Sequence, residues 1–150
     1  MNTKELPQYN DVITALTPIL YDLPGKLIAI DGRSGVGKTT LGRYLAWQFN
    51  ISLVESDLFL IPNQGKLAYL NEALSHVITA RLRNPRPVIV DGVAVRRLLA
   101  ELSLKPDYII YVSSSDASES RSLKNEIASY EATFNPRTSA DLAIDITHPL

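Results

Sequence analysis

A chain of 150 residues, 45% hydrophobic and 21% charged, has the make-up of one globular domain able to bury its own core. A net charge of −1 gives no general electrostatic footprint for nucleic acid or membrane, and the absence of cysteine excludes disulfides, thiolate zinc sites and cysteine nucleophiles. No apolar run approaches the ~20 residues of a membrane helix, and the opening MNTKELPQYNDV is too polar for a signal peptide. A single cytoplasmic domain over 1–150 is therefore expected, with 1–25 a helical lead-in and 26–146 the core.

In chain order, VITALTPILY (Val12–Tyr21) has helical spacing, with Pro18 placed to kink or restart the helix. KLIAID (Lys26–Asp31) is a buried-strand pattern, and KTTLGRYLAWQF (Lys38–Phe49) a helix with Leu41, Leu45 and Phe49 four apart. ISLVES (Ile51–Ser56) is a short strand followed by a loop through Pro62 and Gly65. Lys66–Arg83 predicts an amphipathic helix with Leu67, Leu70, Leu74, Val77, Ile78 and Arg81 on one side. VIVDG (Val88–Gly92) is a third strand, Val93–Leu102 a short helix, and DYIIYV (Asp107–Val112) a fourth strand. Ala117–Phe134 suits a helix with Leu123, Ile127, Tyr130 and Phe134 in register, and LAIDI (Leu142–Ile146) is a fifth strand. Strands alternate with helices, and the strands are continuous apolar runs, as both-face burial requires. The expected fold is a three-layer α/β domain on a five-stranded, mainly parallel sheet.

Gly32-Arg33-Ser34-Gly35-Val36-Gly37-Lys38-Thr39 fills every fixed position of G-x-x-x-x-G-K-[ST], between a strand and a helix. The glycines let several backbone N–H groups turn inward as an anion nest, and the helix N-terminus adds positive potential. Lys38 would reach the β- and γ-phosphate oxygens of a nucleotide, and the Thr39 hydroxyl would ligate Mg²⁺. Backbone N–H groups from Gly35 to Thr40 complete the nest; the Thr40 hydroxyl itself suits capping or packing the helix start. Arg33 could lie over the phosphates or toward a phosphate acceptor.

Two acids follow. Asp91 ends an apolar strand at the sheet edge where ligands bind, and reads either as an acid of the Mg²⁺ shell or as an ordinary Asp-Gly turn. Asp57 follows the second strand, where a carboxylate can take the proton of an attacking hydroxyl; its alternative is a cap or turn, with the neighbouring Phe59 in the core or walling the acceptor. Glu55 is a rival base that strand alternation turns to the other side. Trp47 reads as packing the first helix rather than stacking a base, His76 as structural or exposed, and His148 as part of a frayed tail; no histidine pair has metal-ligand spacing.

These stretches together resemble the P-loop small-molecule kinases, nearest to the uridine kinase-like group. LIAIDGRSGVGKTTLGRYLA is similar to the opening of that group, SDLF stands where it often has paired acids before an aromatic residue, and PVIVDG where its apolar strand ends in an acid and glycine. DYIIYV and the charged helix after it resemble the fourth strand and lid, and FNPRTSADLAIDI the closing segment. The resemblance, from Leu27 to Ile146, implies that Asp57 is the base and Asp91 a metal-shell acid. It also implies that Arg121, with Lys124, is a lid cation over the transferring phosphoryl group; the plainer reading of both cations is a solvated helix face. Here Ser56 replaces the first acid of the pair, and the lid is poor in arginine. Arg96 and Arg97 read as surface residues, one of them able to face the acceptor, and Asn135-Pro136-Arg137 as a loop that could approach the adenine. The implied activity is ATP- and Mg²⁺-dependent phosphoryl transfer to a small hydroxyl-bearing acceptor, a nucleoside by resemblance. The rival is a nucleotide-binding switch or slow NTPase, for which no Asn-Lys-x-Asp guanine motif is present.

Overall fold

The computed structural model describes residues 6–115 and 123–146. Arg121, the first part of the helix expected over 117–134, and His148 lie outside the described residues. Five strands, β1 (Leu27–Asp31), β2 (Ser52–Glu55), β3 (Val88–Gly92), β4 (Tyr108–Ser113) and β5 (Leu142–Asp145), form one sheet. Their spatial order is β2-β3-β1-β4-β5, and every neighbouring pair is parallel.

Helices α1 (Tyr9–Ile19), α2 (Lys38–Phe49), α3 (Asn71–Arg83), α4 (Val95–Glu101), α5 (Lys124–Phe134) and the single turn α6 (Pro136–Ser139) surround the sheet. Side-chain alternation along β1 shows how two cores arise from one strand. Ile28 and Ile30 join Tyr9, Val12 and Leu16 of α1 and Leu41 and Leu45 of α2 in one cluster. Leu27 and Ala29 face the other way, against Leu74 and Ile78 of α3 and Leu98 and Leu99 of α4. All five residues of β1 and all five of β3 are buried, which is why these strands read as unbroken apolar runs.

Three expectations need correcting. Helix α1 starts at Tyr9 and ends at Ile19, with Pro18 inside its last turn. Proline there removes one N–H, and the helix stops one residue later without a restart. Helix α3 begins at Asn71, not Lys66. Residues 66–70 instead fold back on the segment after β2: Ile61 N–H donates to Ala68 O at 2.7 Å and Leu70 N–H to Phe59 O at 2.8 Å, around an antiparallel bridge of Leu60 with Tyr69. That backbone pairing wins over the helical spacing of Leu67 and Leu70. Of the expected apolar face, only Leu74 and Ile78 are buried, while Leu70 and Val77 are exposed. Trp47 adds little to the core: it is 76% exposed, with its ring 6.1 Å from that of Tyr44 on its own helix.

Candidate phosphate-binding site

The site is set by the C-terminal ends of β1, β3 and β2, which the parallel register aligns: Asp91 lies level with Ile30 on one side and Glu55 on the other. The loop from Gly32 to Gly37 leaves β1 and runs into α2. Its first residue passes so close to β4 that a Cβ on Gly32 would stand 2.4 Å from Val112 O. Its last, Gly37, sits at φ +102° as the residue preceding α2, a left-handed conformation that suits glycine. The backbone therefore turns at once into the first N–H groups of a 12-residue helix.

Lys38 is buried, and its ammonium donates to Arg33 O at 2.7 Å across the loop. Burial lowers its pKa, against the opposing pull of Asp31, Asp91 and Asp57. The Thr39 hydroxyl lies beside Asp91. Burial raises the pKa of Asp91; the neighbouring Thr39 hydroxyl and Lys38 act against it, while Asp57 and Glu55 add to it. One Asp91 oxygen, Oδ2, is buried without a hydrogen-bond partner. A cavity of about 290 Å³ is lined by Ser34, Gly35, Gly37, Lys38, Thr39, Thr40, Asp57 and Asp91 together. Asp57 itself is exposed, on a 3-10 turn (Ser56–Phe59) that follows β2 directly, and it opens onto the same cavity as Lys38. Glu55, level with Asp91, is not among the residues lining this cavity and pairs with Arg43 of α2 at 3.0 Å. Phe59 packs against the core cluster that contains α3.

The orphaned Asp91 oxygen beside the Thr39 hydroxyl is a pair of hard oxygen donors, the kind Mg²⁺ takes. Among the described residues no group of three or more His, Cys, Asp or Glu could hold a metal. The donor set thus suits an ion that draws most of its shell from phosphate oxygens and water.

Other cations are placed differently from expectation. Arg33 does not lie over the cavity of Lys38; its guanidinium grips Glu131 of α5 with two bonds, Nε to Oε2 at 3.0 Å and a terminal nitrogen to Oε1 at 2.8 Å. Arg97 pairs with Glu126, which also accepts the Leu67 N–H at 3.1 Å. Arg96 bonds the Ser139 hydroxyl and stands 5.7 Å above the Phe134 ring. Neither arginine is a free surface cation. Lys124 is exposed at the start of α5, and His76 is exposed on α3.

A second cavity of about 500 Å³ lies on the β4 side of the loop, lined by Arg33, Val36, Tyr111, Ser113, Pro136 and Arg137 among others. The Arg137 guanidinium stands 5.4 Å over the Tyr111 ring. Sequence reasoning misses several residues that bond or act on those of the site: Tyr69, whose pKa burial and the Asp57 charge push up to about 12, and Glu126, Tyr130 and Glu131 on α5. Tyr130 is visible in the sequence only as an apolar helix position; its partner is too far along the chain for spacing to reveal.

No family model matches the chain, and no curated protein matches it significantly. Solved structures do match, at the level of the fold. A possible uridine kinase from Bacillus stearothermophilus superimposes with a TM-score of 0.63 at 17% identity, covering 91% of this chain and 98% of that one. A gluconokinase from Sinorhizobium meliloti 1021 gives 0.54 at 19% identity over 85% of each chain. A shikimate kinase from Acinetobacter baumannii in complex with shikimate gives 0.51 at 16% identity over 89% of each. The chain has the fold of the P-loop small-molecule kinases. Its similarity to the possible uridine kinase runs over nearly the whole of both chains. Among the described residues no helix is long and apolar enough to cross a membrane.

Proposed function

We propose that this protein is a phosphotransferase that moves the γ-phosphoryl group of ATP, with Mg²⁺, to a hydroxyl of a small acceptor in the cytoplasm. The observation that carries this reading is the shared cavity: a carboxylate on the acceptor side, Asp57, opens onto the same space as Lys38, Thr39 and Asp91. Backbone N–H groups from Gly35 to Thr40 hold the β- and γ-phosphates, and Lys38 leaves Arg33 O to bridge them. The acceptor oxygen attacks the γ-phosphorus, its proton passes to Asp57, and the bond from the γ-phosphorus to the bridging oxygen breaks to release ADP. Thr39 and Asp91 would hold Mg²⁺, which would neutralise phosphate charge there. Arg121 is assigned the role of lid cation.

The acceptor reading favours an uncharged polyol such as a nucleoside. Beyond Lys38, which is taken up by the phosphates, the charges of Asp57 and of the Arg97–Glu126 pair all reach Tyr69, and in that pair the positive charge is already matched. A carboxylate-bearing acceptor would meet Asp57 and Glu126 without a spare cation among those groups. The base of ATP is assigned to the 500 Å³ cavity, where the Tyr111 ring and the Arg137 guanidinium offer flat surfaces.

The test is ADP release with and without a panel of nucleosides, sugars and hydroxy acids. Acceptor-dependent release that falls by about 10²-fold or more in Asp57→Asn is expected for loss of a general base. Acceptor-independent hydrolysis unaffected by Asp57→Asn would replace the kinase reading with that of an NTPase switch.

A further inference from the structure

The cavity that holds Lys38 leaves one buried charge unexplained. Asp31, the last residue of β1, is 1% exposed and is not among the residues lining that cavity. Its Oδ1 accepts the N–H of Gly32, the first residue of the phosphate loop, at 2.8 Å. Its Oδ2 accepts the hydroxyl of Tyr130 on α5, and that hydroxyl in turn accepts the Arg96 N–H at the start of α4 at 3.4 Å. The charges facing the carboxylate are Lys38 from α2 and the Arg96 side chain. Tyr130 is itself buried, and its ring is stacked on Phe134 at 4.9 Å, with Arg96 over the far ring, so packing aims the hydroxyl. The next residue, Glu131, holds Arg33 by two bonds. Two consecutive residues of α5 thus hold the residues on either side of Gly32. The seam between loop and helix encloses only about 10 Å³, at most one water.

We propose that Tyr130 is a positioning residue for the phosphate loop, acting through Asp31: its hydroxyl fixes the buried carboxylate that holds the first N–H of the loop, and so sets the shape of the anion nest. The proposal rests on the reading of Gly32–Thr39 as a polyphosphate site. A buried carboxylate that loses its donor must either find another or take a proton. Both move the Gly32 N–H that leans on it. Asp31 also faces Lys38, so a change in its position or charge reaches the ammonium that bridges the phosphates.

The experiment is a double-mutant cycle on binding rather than on folding. Wild type, Tyr130→Phe, Asp31→Asn and the double variant are titrated calorimetrically with tripolyphosphate and Mg²⁺, well below their melting temperatures. Tyr130→Phe should weaken tripolyphosphate binding about tenfold, with the same loss for ATP, because the contact acts on the loop and not on the base. In the Asp31→Asn background the further Tyr130→Phe change should cost little, since no carboxylate remains to be fixed. An equal loss in both backgrounds would mark Tyr130 as mere packing and overturn the proposal, as would a folded Tyr130→Phe that binds like wild type. If Tyr130→Phe does not fold, Asp31→Asn decides: weakened tripolyphosphate binding by a folded protein supports the proposal, and unchanged binding overturns it. Failure of the wild type to bind tripolyphosphate is a separate result, which removes the phosphate-site reading itself and the proposal with it.

Discussion

Asp91 is where function costs stability. Its carboxylate is 2% exposed, one oxygen has no hydrogen-bond partner, and Asp57 and Glu55 add like charge. Burial, the largest cause, raises its pKa, so the folded protein keeps this proton to a higher pH than the unfolded chain does. In that window the native state binds more protons, and stability falls as pH rises from about 4, the ordinary carboxylate value. Asp91→Asn should flatten this fall, and at pH 7 it should raise stability by about 1 kcal/mol. Urea melts of both proteins at pH 5 and 7 check the slope; a steeper fall in the variant would contradict it. Activity should drop at the same time, because the amide is a poorer Mg²⁺ ligand. At this scale the sequence is readable where one residue type has one job. The loop pattern places Lys38 and Thr39, and the structure puts Asp57 and Asp91 on their cavity. Tyr130 is not readable, because its hydroxyl meets Asp31 across 99 residues of chain. Arg33 has two open roles in the sequence, and it takes a third partner, Glu131, 98 residues away.

At the scale of elements, the phosphate loop depends on how closely β1 and β4 approach. Gly32 sits where a side chain would run into the main chain of β4, not into a flexible neighbour that could move aside. Gly32→Ala should therefore destabilise the fold by about 1–3 kcal/mol and weaken polyphosphate binding with it. Denaturant midpoints and tripolyphosphate titration measure the two effects. Gly35→Ala is the control for a change in the same loop, since a Cβ there meets nothing within 4 Å and only its φ of +80° is strained. Element types are legible because a strand buried on both faces leaves an unbroken apolar run in the sequence. Element boundaries are less so. The start of α3 is hidden because Leu67 and Leu70 keep helical spacing while residues 68–70 pair by backbone with residues 59–61, and backbone pairing leaves no mark on side-chain periodicity.

For the whole molecule, α1 belongs to the core and does not merely lead into it. Tyr9, Val12, Leu16 and Leu20 are buried in the same cluster as the inner face of β1 and the helix that follows the phosphate loop. Leu16 is fully buried, so Leu16→Ala should cost about 2–5 kcal/mol. The loss should appear as a lower melting temperature without any change in the affinity of the folded protein for tripolyphosphate. A selective loss of binding at unchanged stability would show that α1 acts on the site and not on the fold.

The strand order carries a consequence for how the chain is made. Strand β1 is central, yet its partners are Leu27 with Val88 and Ile28 with Tyr108, both far downstream. As the chain leaves the ribosome, the segment holding Lys38 emerges long before β3 and β4 exist to flank it. Contacts between such distant segments form slowly, and apolar strands waiting for partners are open to aggregation. Nascent chains cut short before residue 88 should not acquire the nest, and a chaperone that shields Leu27–Ile30 during synthesis would raise the yield of active protein.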